Sequence, residues 1–273
     1  MIEGCDKAEW KPGSKYCGNA CRAFGVILQL EPACLLCETF PKMDKSYFCS
    51  ASCSNKSLDN APVLLSVPAG HQALRTVTDQ WTKEWKHTPN PPQIRFMWLI
   101  VQNRSLHNAF EAKLQAIDAS HNFKAERMFP ANERRRWHGT KRECTVGDPG
   151  TTPTGFCKSP TCSMCIVMQR SFDKEKSAPG SMFGKGVYTS GTSSKSHGYI
   201  KQVAPSRYRA MLLCRVLAGK AKKLTQADHN LVAAPAGFDS VRGVPGGGLN
   251  YDELIVYDNN QIRPLYLVIY DST

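Results

Sequence analysis

The period of the apolar residues changes several times along this chain, and each change marks an element. Val63–Val67 is a short apolar run of strand length. From His71 to His87 the apolar residues Leu74, Val77, Trp81 and Trp85 recur three or four apart, which predicts an amphipathic helix. Thr88-Pro-Asn-Pro-Pro92 ends it. Ile94–Val101 predicts a strand carrying Trp98. Over Asn103–Ile117 the helical period returns, with Leu106, Phe110, Leu114 and Ile117 on one face. Met211–Leu217 and Leu265–Tyr270 predict two more strands, with Pro264 at the start of the second, where no ladder donor is needed. Residues 54–62 are polar and end in Pro62, which predicts a linker, and the run Gly243–Gly248 predicts a flexible loop.

Composition narrows the class. With 41% hydrophobic residues over 273 positions the chain can bury a sizeable core. No apolar run approaches the ~18 residues of a membrane span, and the N-terminus has no signal-peptide pattern. The expectation is an intracellular protein, nuclear or cytoplasmic, with no membrane contact. The net charge of +12 is uneven: residues 1–60 hold seven basic and seven acidic residues, so residues 61–273 carry the whole excess. That suits a polyanionic small molecule and leaves a nucleic-acid contact open, with a plain solvated basic surface as the alternative. Arg134-Arg-Arg136 is read as a solvated edge, with a phosphate or nuclear-import patch as the alternative.

The cysteines are grouped. Cys34-x2-Cys37 is followed, after eleven residues, by Cys49-x3-Cys53, and Cys5 is followed, again after eleven, by Cys17-x3-Cys21. The two units form a short repeat whose spacing suits tetrahedral thiolate ligation of Zn²⁺. The first unit has Ile2 where the second has Cys34, so either its fourth ligand is missing or Cys17 and Cys21 interleave with Cys34 and Cys37. Cys144, Cys157, Cys162 and Cys165 make a second cluster among glycines and prolines, a segment with no helical or strand period that four thiolates on one ion would fix. Two or three zinc ions are expected. The predicted division is a cysteine-rich module at 1–60 and a larger unit at 61–273 with a zinc-binding insertion at 144–165. The neutral module suits a structural or protein-binding role better than a grip on DNA.

Three motifs carry the chemistry. They are Trp137-His138-Gly139-Thr140, the run from Phe183-Gly-Lys-Gly-Val-Tyr188 through Ser194-Lys195-Ser196-His-Gly-Tyr199, and Tyr251-Asp252-Glu253-Leu254-Ile255-Val256-Tyr257. In this order they resemble the catalytic domain of the poly(ADP-ribose) polymerases, the diphtheria-toxin-like ADP-ribosyltransferases, over roughly Val63 to the C-terminus. Val101-Gln-Asn-Arg-Ser-Leu106 before the second predicted helix resembles the opening of that domain. Between Cys53 and Val63 there is no room for the regulatory helical subdomain of the DNA-dependent members.

The resemblance implies an α+β fold of two packed, mainly antiparallel sheets with flanking helices, and a catalytic set His138, Tyr188 and Glu253. It implies NAD⁺ as donor substrate, held by His138, Gly139, Thr140, Tyr188, Lys195, Ser196 and Tyr199. His138 would bond the adenosine ribose, and Gly139 and Ser196 the nicotinamide carboxamide, Ser196 by donating its hydroxyl. Tyr188 and Tyr199 would sandwich the ring, and Glu253 would bond the ribose and stabilise its developing positive charge. Lys195 could contact donor or acceptor, or face solvent. A donor loop at about Asp173–Met182 would cover NAD⁺, braced at its base by the second cysteine cluster. The implied activity is transfer of ADP-ribose to a protein or nucleic-acid acceptor. NAD⁺ hydrolysis is a second reading, and an inert ADP-ribose- or nucleic-acid-binding module a third.

Overall fold

The structure, a computed structural model, describes residues 16–272. Its main sheet joins β1 (Val63–Ser66), β2 (Ile94–Val101), β3 (Glu133–His138), β7 (Tyr208–Leu217) and β11 (Ile262–Asp271) in the order β1-β2-β11-β7-β3, with every neighbour antiparallel. A second sheet runs β5 (Val187–Thr189), β10 (Glu253–Val256), β9 (Ser240–Gly243), β8 (Ala221–Leu224), and β4 (Lys141–Arg142) pairs with β6 (Lys201–Gln202). β4–β6 and β8–β9 are the parallel pairs. This is the α+β arrangement of two sheets, mainly antiparallel, that the resemblance implies.

β7 and β11 lie in the middle and are buried on both faces, which is why they read as nearly continuous apolar runs. Alternate residues serve two cores. Leu65, Leu99, Met211, Leu213 and Val268 face one, and Leu64, Ile100, Leu212, Leu267 and Ile269 face the other. The first core is closed by α3 (Gln72–Glu84), whose Trp81 packs on Trp85, Trp137 and Tyr270 at centroid distances of 4.8, 5.2 and 4.7 Å. The second is closed by β5 and β10 and by α5 (Ser163–Arg170). α4 (Arg104–Ser120) covers one end through Phe110 and Ile117, capped by Asn103, whose side chain accepts from the Leu106 N–H at 3.0 Å. Among the described residues no helix is long and apolar enough to cross a membrane.

Several expectations are corrected. Residues 54–62 are no linker: α2 (Ala51–Asp59) occupies most of them, capped by the Ser50 hydroxyl accepting from Cys53 N–H at 3.2 Å. Ser, Asn and Lys are polar here because α2 is a surface helix, not because the chain is extended. The cysteine module is correspondingly docked, with Cys34, Leu35 and Phe48 sharing the first core with Val63, Trp81 and Leu99. Pro264 lies inside central strand β11 and not at its start, and a register irregularity between Pro264 and Tyr266 accommodates its missing donor. The 144–165 segment runs directly into helix α5 at Cys162, and Gly243 is the last residue of β9. α1 (Asn19–Ile27), β4, β6, β8 and β9 had no clear signal in the sequence, being short or flanked by loops.

Candidate active site

Besides packing across the second core, the two sheets are joined among the described residues by one antiparallel bridge between Trp137 and Ser190, with Trp137 N–H donating to Ser190 O at 2.8 Å and Ser190 N–H to Trp137 O at 3.0 Å. That bridge brings the end of β3 to the end of β5. His138, the next residue on β3, donates from Nδ1 to the Tyr188 carbonyl at 2.9 Å. On the other side of β5, Ile255 of β10 lies opposite Tyr188 and Leu254 opposite Thr189, so Glu253 opens its strand at the level of the bridge. The short helix α6 (Ser193–His197) then follows β5 and delivers Lys195, whose Nζ lies 2.9 Å from Glu253 Oε1 and donates to Tyr251 O at 2.9 Å. Lys195 therefore faces Glu253 and not solvent. A β-carbon on Gly139 would stand 1.9 Å from the Ser196 carbonyl oxygen, so the close approach of α6 to β3 admits only glycine.

Each side chain is held by identifiable partners. With Nδ1 donating, His138 presents Nε2 as an acceptor, and burial lowers its pKa, which keeps the ring neutral. Phe172 packs edge-on against it, with centroids 5.0 Å apart. The Tyr188 hydroxyl accepts from Phe183 N–H at 2.9 Å and donates to Gly184 O at 2.8 Å, so the ring cannot swing. Burial pushes its pKa up to about 12, and the Glu253 charge adds to the rise. Burial and then Glu253 also raise Tyr199, which is 61% exposed at the rim. Both rings thus lie within the field of the same carboxylate. Ser196 Oγ donates to Trp137 O at 3.0 Å, so its proton is engaged there, unlike the donation to the carboxamide that the resemblance implies, and its oxygen is left to accept. Thr140 is half-buried just past β3.

The family profile described as poly(ADP-ribose) polymerase catalytic domain matches residues 99–246, just over half of the chain. The chain belongs to this family. Over 90 residues it is 34% identical to the protein mono-ADP-ribosyltransferase PARP4 of Homo sapiens, a stretch of 31% of this chain and 5% of that protein. Over 123 residues it is 31% identical to poly [ADP-ribose] polymerase 2-A of Oryza sativa subsp. japonica, covering 34% of this chain and 19% of that protein. The match to poly [ADP-ribose] polymerase 2 of Arabidopsis thaliana is 33% identical over 91 residues, 33% of this chain and 14% of that protein. The chain thus spans a small part of the length of these relatives. Glu253 lies beyond the matched 99–246 segment and reaches the site through the pairing of β10 with β5.

The chain carries two sets of four thiols with the dimensions of a metal site. Four sulfurs at ~2.3 Å from a tetrahedral Zn²⁺ stand about 3.8 Å apart. Cys37–Cys49 and Cys49–Cys53 are 3.7 and 3.6 Å apart, and Cys144–Cys162 and Cys144–Cys165 are 3.9 and 3.6 Å apart. Within each set, Cys34-Cys37-Cys49-Cys53 and Cys144-Cys157-Cys162-Cys165, the sulfurs all lie within 4.8 Å of one another. The interleaved alternative is therefore corrected: Cys34 and Cys37 close with Cys49 and Cys53, because the loop from Pro32 folds back on itself through Cys34 N–H to Phe40 O at 2.8 Å. Burial raises the Cys37 thiol, but backbone donors of Phe40 and Thr39 outweigh it and lower it, whereas burial raises Cys49 and Cys53. Cys17 and Cys21 approach to 2.9 Å, and Cys5 lies outside the described residues.

Three features escaped the sequence reading. Arg136 is not a solvated edge: it pairs with Asp252 at 2.9 Å beside Glu253, 13% exposed, and burial lowers its pKa. Arg134 and Arg135 are exposed, as expected. Arg142 is fully buried, pairs with Asp148 at 2.7 Å and donates to the carbonyls of Val146 and Tyr208, fastening the 144–165 segment to the main sheet. A lone Arg after His-Gly-Thr-Lys gives no sign of this. Phe172 joins α5 to His138, and nothing in the sequence singles it out.

Proposed function

We propose that this domain transfers ADP-ribose from NAD⁺ to a macromolecular acceptor and releases nicotinamide. The observation that carries the reading is the convergence of His138, Tyr188, Tyr199, Lys195 and Glu253 on one junction between two sheets. In this reading the Nε2 of neutral His138 accepts from an adenosine ribose hydroxyl. The backbone of Gly139 and the Ser196 oxygen meet the carboxamide, with Thr140 beside them, while Tyr188 and Tyr199 provide aromatic surface for the nicotinamide ring. As the bond between nicotinamide nitrogen and ribose carbon breaks, the electron pair leaves with nicotinamide and positive charge gathers on the sugar. Glu253, oriented by Lys195, stabilises that charge and takes the proton of the incoming acceptor hydroxyl.

Each four-thiol set is proposed to hold one Zn²⁺, the ion whose closed tetrahedral thiolate sites have this edge length. The 144–165 set would fix α5 and, through Phe172, the ring of His138. The division into a module at 1–60 and a catalytic unit at 61–273 is kept as a proposal about organisation, with the module docked on the sheet. The excess positive charge of 61–273 favours anionic acceptors, including nucleic acid.

Incubation with NAD⁺ labelled in its adenylate half tests the activity. Label attached to protein or nucleic acid, with free nicotinamide, is expected. Label recovered as free ADP-ribose would replace transfer by hydrolysis, and unconsumed NAD⁺ would remove both.

A further inference from the structure

Cross-strand register sets three arginines in one row. Arg135 of β3 lies opposite Arg215 of β7, and Arg215 lies opposite Arg263 of β11. Directly paired residues share a face, so three adjacent strands present guanidinium groups on the same side of the main sheet. It is the side of Leu213 and Trp137, covered by the cysteine module and turned away from β5 and β10.

Like charges opposite one another weaken a sheet, and this row is only partly compensated. Arg215 takes the carboxylates: its Nε and terminal nitrogen lie 2.8 and 2.6 Å from Glu133, and its other terminal nitrogen 3.1 Å from Glu111. Arg263 has no such partner among the described residues. It is 8% exposed, one terminal nitrogen donates to His107 Nδ1 at 2.8 Å, and its Nε has no hydrogen-bond partner. Because a guanidinium only donates, His107 must be the neutral acceptor and brings no negative charge. Arg135 reaches the Thr76 hydroxyl at 3.4 Å. A buried cation without an anion is costly and marks a place where an anion would be bound. Burial, with Arg215 adding to it, draws Arg263 down to about 10, and the more distant charges of Glu111 and Glu133 offset this only in part.

A cavity of about 440 Å³ lies over the row, and from the module Lys45, Ser54 and Ser57 also line it. Among the described residues its lining holds Lys45, Arg135, Arg215 and Arg263 against the single carboxylate of Glu133. We propose that this cavity binds a small phosphate-bearing anion, seated on Arg263 and Arg135 with Lys45 closing from the module. Guanidinium forks match phosphate oxygens two at a time, the Ser54 hydroxyl can satisfy a remaining lone pair while that of Ser57 is committed to the Ser54 carbonyl at 2.7 Å, and the volume suits a small ligand. Arg135 stands three residues before His138 on β3. The ligand would therefore join the cysteine module to the strand that carries the donor-site histidine.

Calorimetric titration of the full chain with inorganic phosphate, at an ionic strength held constant with chloride, tests this. One saturable site is expected. Arg263→Met should weaken it about tenfold or more, as loss of a charge-assisted hydrogen bond does, and Lys45→Ala should weaken it several-fold. His138→Ala should leave it unchanged, which separates it from any phosphate grip in the donor site. Absence of saturable binding, or binding that falls with His138→Ala and not with Lys45→Ala, overturns the proposal. Should Arg263→Met fail to fold, Lys45→Ala decides alone, because Lys45 is exposed on the module, and an unchanged affinity there is equally fatal.

Discussion

His138 illustrates how one side chain serves both the chemistry and the fold. Its Nδ1 proton is committed to the Tyr188 carbonyl, its ring is wedged against Phe172, and burial disfavours the charged form. His71, His107 and His197 are likewise depressed, each first by burial and then by a neighbouring cation: Lys42, Arg263 and Arg209 respectively. The sign follows from linkage. Between these lowered folded values and the ordinary histidine value of about 6.5, the unfolded chain binds protons that the folded chain refuses. Stability therefore rises with pH through that window and is lost as pH falls below about 6.5, at up to ~1.4 kcal/mol per pH unit for each histidine. Thermal denaturation at pH 7 and pH 5 should give a Tm lower by several degrees at pH 5. An equal Tm would mean that these rings become charged inside the fold at no cost. Which residue types the site needs could be read from the motifs. That Lys195 turns onto Glu253 and Arg136 onto Asp252 could not, because a charge in sequence does not reveal which partner the sheets bring to it.

At the scale of elements, strong periodicity was legible and weak periodicity was not. β2 matches its predicted Ile94–Val101 run, and α3 and α4 begin one residue after His71 and Asn103, which turn out to be their caps. α2 was missed because its nine residues, Ala51–Asp59, offer almost no apolar stripe, being held by a serine cap and by Cys53 in the thiol set. The two thiol sets occupy equivalent positions, each closing one face of the main sheet: Cys34 lies in the first core, and Cys162 and Cys165 in the second. Loss of a thiolate should therefore be felt in the sheet from either side. Cys162→Ser and Cys49→Ser should each release about one zinc ion per chain and lower the Tm, with each kcal/mol worth roughly 2–4 °C in a domain of this size. Cys162→Ser should in addition weaken NAD⁺ binding, because α5 carries the chain to Phe172 and His138. Elemental analysis with a thermal melt and a donor titration checks this. Full metal content in both variants would end the zinc assignment, and an unchanged NAD⁺ affinity in Cys162→Ser would end the bracing role.

On the scale of the whole molecule, the site exists because two sheets are joined at one bridge and opened beside it. β3 brings the histidine, β5 the first tyrosine, α6 the lysine and β10 the glutamate, from segments spread over more than a hundred residues. The order of the three motifs was enough to anticipate the fold. The docking of the cysteine module was not, because the apolar residues that carry it, Leu35, Tyr47 and Phe48, are single positions in a loop without a period. The central claim is that Glu253 acts on charge that develops only as nicotinamide leaves. Glu253→Gln keeps size and hydrogen bonding and removes that charge, so NAD⁺ affinity and turnover should separate. Measured together on wild type and variant, affinity should stay within a few-fold while nicotinamide release falls by about 10²–10³, the scale of losing one electrostatic contribution to a transition state. Turnover at the wild-type rate, or a fall explained entirely by lost NAD⁺ binding, would contradict it.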